Sequence, residues 1–336
     1  MSKSLKIYRT ILILIVLISI PIMPAKACTI FSVELEDGTL LACNNEDWMY
    51  STSNSMQLQK RDSENYGYVC FYNASYVQGG MNEYGLFYDG ATCPSSEVPY
   101  DANKETLGYD LGEVVLSKCK TVKEVEKFLR DYNIPSGFCD HLLFADAEGN
   151  SAVFEWIKGE EHLFWKNEDE NSQVVTNFWL EDYSLGGYPC ARYDTAVKML
   201  QSESLSLESC VQILEKTAQD WGNGGTLYSN ICNLTNKSLY LFYRGDMSQS
   251  YHFNLEQQLQ SMDEGERKTI DMDELDATGF LKNVEEENTD SSVNEISEEK
   301  TEPIVSNYFI PIVIMIAVLL LLVIRLIKSI SIKKSR

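Results

Sequence analysis

Ala25-Lys26-Ala27-Cys28-Thr29-Ile30-Phe31 is the stretch on which the rest of the chain turns. Lys3, Lys6 and Arg9 precede it, followed by an apolar run over residues 11–23. That is the charged and then apolar pattern of a secretory signal, and Ala25-x-Ala27 is the small-residue motif after which such signals are cut. Cutting there makes Cys28 the first residue of the mature chain, with a thiol and a free α-amine on one residue. An α-amine has a pKa of about 7.7–8.0, so near neutral pH it can take the thiol proton. One residue then supplies nucleophile and base together. From this stretch alone Cys28 can equally be a half-cystine near a processed end. A lipid-anchored Cys28 is disfavoured by Ala25 and Lys26, and by a second anchor at the other end of the chain.

The chain has 336 residues and a formal charge of −22, with +4 in the first 27 residues and +5 in the last 30, which leaves −31 between them. A surface so acidic repels nucleic acid, and a nucleic-acid partner is excluded. All nine cysteines follow the signal. An exported chain permits disulfides, and eight cysteines besides Cys28 allow many pairings; buried free thiols are the other reading. No Cys-x-x-Cys occurs and there are three histidines, so neither a metal site nor a cofactor is indicated. A papain-like Cys/His pair is disfavoured too, His141 being its one candidate.

Residues 308–324 are uncharged and almost wholly apolar, and Arg325 can snorkel to extend the run. Lys328, Lys333, Lys334 and Arg336 follow as a stop-transfer cluster. The expected organisation is a cleaved signal (1–27), an ectodomain (28–280) and an acidic disordered linker (281–306). One transmembrane helix (307–327) and a basic cytoplasmic tail (328–336) complete it. The protein is thus expected in the cell membrane, single-pass, with its ectodomain outside. Oligomeric state is not legible.

Within the ectodomain, strands are expected at 29–35 and 39–42 around the turn Glu36-Asp37-Gly38, and at 68–72 and 85–88. Further hairpins are expected at 141–146 with 152–156 and at 227–232 with 239–243. Helical periodicity covers 111–118, 121–130, 192–201 and 207–219, and Thr121 with Glu124 has the form of a capping box. Hairpins interleaved with helix pairs imply an α+β arrangement of sheets covered by helices. Trp48 reads as core. Sequons stand at Asn73, Asn233 and Asn236.

Downstream of Cys28 comes Asn44-Asn45-Glu46-Asp47-Trp48, where Asp47 could return beside Cys28 through the first hairpin. Taken with Cys-Thr-x-Phe at the mature start, this resembles the choloylglycine hydrolase and penicillin V acylase group of N-terminal nucleophile hydrolases. The acyltransferases acting on the penicillin nucleus share the pattern. The later landmarks follow in order: Gly79-Gly80-Met81-Asn82-Glu83-Tyr84-Gly85-Leu86, Phe144 to Gly149 through Glu155-Trp156, Val174-Val175-Thr176-Asn177-Phe178, Ala191-Arg192-Tyr193-Asp194, and Tyr228 to Leu234.

The resemblance implies a four-layer αββα sandwich and hydrolysis of a linear N-acyl amide, or acyl transfer, through an acyl-thioester. It implies Cys28 as nucleophile and base, Asp47 orienting the amine, Asn177 donating to the oxyanion and Arg192 supporting the nucleophile. Thr92 and Asn45 are the further substrate-binding or oxyanion candidates. A fixed oxyanion donor is typically worth on the order of 10²–10³ in rate. Two positions depart from the group's pattern: Asn44 stands where an arginine is usual, and Thr92 where many members carry asparagine. A different class of protein, a membrane-tethered binding or structural ectodomain without turnover, shares the same fold expectation. The state of Cys28 separates the two.

Overall fold

The computed structural model describes residues 28–202, 204–275 and 278–279. The expected signal, linker, transmembrane helix and basic tail all lie outside them. Among the described residues no helix is long and apolar enough to cross a membrane.

The described strands make two antiparallel sheets. One joins β1 (Thr29–Glu34), β2 (Leu40–Met49), β10 (Ser172–Val175), β11 (Gly224–Asn233), β12 (Ser238–Tyr243), β13 (Gln249–Asn254) and β15 (Thr278–Gly279). Its strand order is β10-β1-β2-β11-β12-β13-β15. The other joins β3 (Asn54–Gln59), β4 (Tyr68–Asn73), β5 (Tyr76–Asn82), β6 (Phe87–Thr92), β7 (Asp140–Ala145), β8 (Ser151–Ile157), β9 (Glu160–Trp165) and β14 (Arg267–Asp271). Its order is β14-β3-β4-β5-β6-β7-β8-β9.

Period-two alternation sorts the side chains into layers. Ile30 and Ala42 point between the sheets and meet Val69, Phe71, Phe87 and Leu143 of the facing sheet. Phe31, Leu41 and Cys43 point the other way, onto α3 (Ala191–Leu200) and α4 (Leu207–Thr217). The outer face of the second sheet, with Tyr88, Phe144 and Phe154, is covered by α1 (Leu111–Lys118) and α2 (Val122–Arg130). The stacking is therefore helix, sheet, sheet, helix, as the resemblance implied.

Local chemistry explains the helices. α2 starts because the Thr121 hydroxyl accepts from the Glu124 N–H at 3.3 Å, while the Glu124 carboxylate takes the N–H of Lys120. It buries Val122, Val125 and Leu129, each such side chain stabilising the fold by roughly 1.5–3 kcal/mol. α4 carries a full capping box between Ser206 and Ser209. α1 lies close on β6 because Gly112 has no side chain; a Cβ there would fall 2.0 Å from the Tyr88 ring. That contact fixes Tyr88 in a cavity wall.

All nine thiols are free, and all but Cys139 are buried. Cys43 on β2 and Cys210 on α4 act as small core residues between the sheet and that helix. The sequon at Asn73 is buried, with 7% of its surface exposed.

Candidate active site

The first hairpin builds the site. β1 and β2 pair with Thr29 opposite Asn45, and the next step of that register sets Cys28 opposite Glu46. Cross-strand partners share a face, so both side chains enter the space between the sheets. The Cys28 thiol donates to Glu46 Oε2 at 3.4 Å. Glu46 Oε1 accepts from Asn73 Nδ2 at 2.8 Å, and Oε2 also accepts from Asn44 Nδ2 at 3.4 Å. Asn44, which stands where the group it resembles usually has arginine, thus reaches the same carboxyl.

Behind Cys28 stands Arg192, two residues into the described helix α3. Its Nη1 donates to the Cys28 carbonyl oxygen at 2.5 Å and to Thr29 Oγ1 at 2.8 Å. Its Nη2 donates to Asn177 Oδ1 at 3.4 Å. Asn177 Nδ2 in turn donates to the Thr92 carbonyl at 2.8 Å. Arg192, Asn177 and Thr92 therefore form one chain of contacts around Cys28. Thr92 takes part through its backbone oxygen, as a support for Asn177.

Asp47 lies at the end of β2, beside the irregularity where β11 shifts register between Thr226 and Tyr228. Its Oδ1 accepts from Thr226 Oγ1 at 2.5 Å and its Oδ2 from Gln219 Nε2 at 2.6 Å. These two partners fix the carboxyl where it borders the cavity that contains Cys28.

Asn45 is not brought to this site. It lies on the opposite face of β2, where Nδ2 donates to the Leu214 carbonyl at 2.8 Å and to Thr217 Oγ1 at 3.0 Å. Its Oδ1 accepts from Ser229 Oγ at 2.6 Å. Asn45 ties the sheet to α4, and the alternation of β2 is the reason. Trp48 also departs from expectation: it is 42% exposed and borders the cavity instead of filling the core.

The cavity has a volume of about 610 Å³. Cys28, Glu46, Asp47, Asn177, Thr92 and Tyr88 are among its lining residues. Burial dominates the electrostatics. It pushes the Cys28 thiol well up, and the Glu46 and Asp47 charges add to the rise. Burial also raises Glu46 to about 8, against the pull of its hydrogen bonds from Cys28, Asn44 and Asn73. Asp47 is raised by burial to about 7, and the hydrogen bonds of Thr226 and Gln219 and the charge of Arg192 hold it back.

His141 is not among the lining residues. It is fully buried, with Nε2 2.5 Å from the Thr176 carbonyl and Nδ1 2.9 Å from Glu155 Oε1. Burial works against its charge, but Cys93 and Glu155 outweigh it and raise the imidazole to about 10. Charged, the ring donates at both nitrogens. Glu155 also accepts the N–H groups of Leu180 and Glu181 at 2.7 and 3.1 Å. The pair thus clamps the segment that carries Asn177. Sequence reasoning missed Glu46, Asn73 and this clamp. The hairpin register alone could have revealed Glu46.

Residues 33–179 match the family model described as acyl-coenzyme A:6-aminopenicillanic acid acyl-transferase. No curated protein matches the sequence. Among solved structures, the chain is similar to penicillin V acylase from Agrobacterium tumefaciens, with a TM-score of 0.60 and 20% identity over 73% of this chain and 91% of that one. It is similar to a variant of conjugated bile acid hydrolase from Clostridium perfringens, with a TM-score of 0.61 and 18% identity over 76% of this chain and 100% of that one. At such identities the structures establish a shared fold. The chain therefore has the fold of penicillin V acylase and conjugated bile acid hydrolase, and within it residues 33–179 are similar to the 6-aminopenicillanic acid acyl-transferase family.

Proposed function

We propose that this protein is a membrane-anchored, extracytoplasmic amidohydrolase that cleaves a linear N-acyl amide with Cys28 as an N-terminal nucleophile. The observation that carries the reading is the convergence of Arg192, Asn177 and Asp47 around Cys28, which borders a cavity at the mouth of the first hairpin. Signal removal after Ala27 would free the Cys28 α-amine. That amine takes the thiol proton, and Asp47, held by Thr226 and Gln219, orients it. A new ammonium on Cys28 would also oppose the upward push that burial exerts on the thiol.

Sγ then attacks the amide carbonyl carbon. The carbonyl oxygen gains negative charge, and the second N–H of Asn177 Nδ2, the one not engaged by Thr92, is available to meet it. The C–N bond breaks, the amine leaves with the proton from the Cys28 ammonium, and an acyl-thioester remains. Water, or a second amine, takes the acyl group and returns the thiol. Arg192 holds the Cys28 carbonyl and Asn177 in mutual register. No step calls on a metal or an organic cofactor.

The anchor rests on the apolar run at 307–327 and the basic residues after it. The test is Cys28→Ala in the full-length protein, assayed against a panel of N-acyl amides. Turnover is expected to vanish while export and folding persist. Full residual turnover would remove Cys28 from the mechanism.

A further inference from the structure

The cavity around Cys28 has an unusual charge balance. Glu46, Asp47 and Asp140 line it, and among its described lining residues there is no lysine, arginine or histidine. Glu46 is the one nearest the reacting atom: it is 2% exposed and its Oε2 lies 3.4 Å from Cys28 Sγ. Beside it, Asn73 uses its Nδ2 on Glu46, and its Oδ1 is buried without a hydrogen-bond partner. Asn73 is itself only 7% exposed and lines the same cavity. The Tyr88 hydroxyl, in the same wall and 3% exposed, also has no partner. A buried carboxyl and a buried amide oxygen side by side form a site that accepts hydrogen bonds. Glu46 already accepts from Cys28, Asn44 and Asn73, whereas Asn73 Oδ1 has no donor, and a buried amide oxygen left so is costly.

Geometry sets where the missing donor belongs. In an acyl-thioester the acyl carbon is bonded to Sγ, and a substituent on the next carbon lies at about van der Waals distance from the sulfur. A carboxyl in contact with Sγ is within hydrogen-bond reach of that substituent. An ammonium there brings three donors to Glu46 and Asn73 Oδ1. Leu111, Phe138 and Leu142 line the same cavity and suit an apolar side chain on the same carbon.

We infer that the cavity selects amides of apolar α-amino acids, with the free α-ammonium of the acyl group bound by Glu46 and Asn73, and rejects acyl groups that carry a carboxylate. This deepens the amidohydrolase reading and rests on it. The site is built in reverse for an anion: a second carboxylate would meet Glu46, Asp47 and Asp140, against which the cavity sets no lysine, arginine or histidine and only the Cys28 α-ammonium, already engaged by Asp47. An ammonium instead relieves the desolvation that now raises Glu46. Glu46 is thereby assigned as the residue that sets specificity.

The test uses the full-length protein and three p-nitroanilides that differ at one group: phenylalanyl, 3-phenylpropanoyl and benzylmalonyl. One charge-assisted hydrogen bond predicts a kcat/KM for the phenylalanyl compound ~10-fold or more above that of 3-phenylpropanoyl. The benzylmalonyl compound should be the poorest. In Glu46→Gln the preference for the ammonium should collapse. Equal or better turnover of 3-phenylpropanoyl or benzylmalonyl by the unaltered protein would overturn the assignment. So would an ammonium preference that survives in a folded Glu46→Gln. If no anilide is turned over, the amidohydrolase reading is decided by the N-acyl amide panel, and binding decides the specificity separately. Phenylalaninamide should then raise the melting temperature more than 3-phenylpropanamide does, and lose that advantage in Glu46→Gln. Equal shifts would overturn it.

Discussion

Arg192 reaches across 164 residues of sequence to hold the carbonyl oxygen of Cys28 at 2.5 Å, and the same guanidinium contacts Asn177. A planar fork is needed to serve Cys28, Thr29 and Asn177 together, and a lysine ammonium cannot reproduce it. Arg192→Lys is expected to lower kcat by ~10-fold or more with little change in KM, since the guanidinium aligns reacting groups and does not line the cavity. Steady-state kinetics on an N-acyl p-nitroanilide checks this. A change confined to KM would make Arg192 a binding residue.

Asp47 is expected to matter more to turnover than to folding. Its two partners, Thr226 and Gln219, can both be met by an amide oxygen or accommodated by rotation, and the buried charge is itself costly. Asp47→Asn should therefore cost kcat ~10²-fold or more while unfolding stability changes little. Thermal unfolding and initial rates on one preparation decide it. Parallel losses in both would make Asp47 a structural turn residue.

Stability should fall as pH rises through the weakly acidic and neutral range. Glu46 has an ordinary value of 4.5 and is held at about 8 in the fold, facing Asp47, Asp89 and the Cys28 thiol. Asp47 is likewise held at about 7 against 3.8. Above 4.5 the unfolded chain has released the Glu46 proton while the folded chain keeps it, so each step up in pH favours unfolding until about 8. Glu46→Gln should flatten this slope and raise the melting temperature near pH 8, by ~2–4 °C for each kcal/mol recovered. A melting temperature that climbs between pH 5 and 8 would contradict the buried-acid assignment.

His141→Ala should be among the costlier substitutions outside the cavity. It leaves Glu155 buried with two backbone donors and no cation, and it frees the Thr176 carbonyl next to Asn177. Breaking such a pair costs ~3–5 kcal/mol. Glu155→Gln with His141→Ala together should cost less than the sum of the two changes, since neither charge is then stranded. Urea unfolding of the single and double variants reads this directly. Strict additivity would mean that the two side chains do not act as a pair.

Much of the fold was legible because its signals are local. Helices expected at 111–118 and 207–219 are found at Leu111–Lys118 and Leu207–Thr217, the second opened by the Ser206 capping box. The three hairpins were marked by their turn residues. Strands β3, β5, β9, β10, β13, β14 and β15 escaped: sequences such as Asn54–Gln59 mix polar and apolar residues, and β3 and β14 also pair with each other from distant parts of the chain. Within the site, Arg192 and Asn177 were named from resemblance, and the contact between them depends on the fold. Asn45 was misplaced because the motif was read as a linear string, whereas a strand sends Asn45 and Glu46 to opposite faces. The same parity, applied to the Glu36-Asp37-Gly38 turn, sets Glu46 opposite Cys28.

The most direct measurement is intact-mass and N-terminal peptide analysis of the full-length protein, purified from cells after brief thiol alkylation without reductant. A chain beginning at Cys28, with a free α-amine and an alkylated thiol, is the expected result, in keeping with the free thiol at this position. A terminus elsewhere, a lipidated Cys28 or a Cys28 held in a disulfide would contradict the nucleophile assignment and favour a binding domain on the same fold.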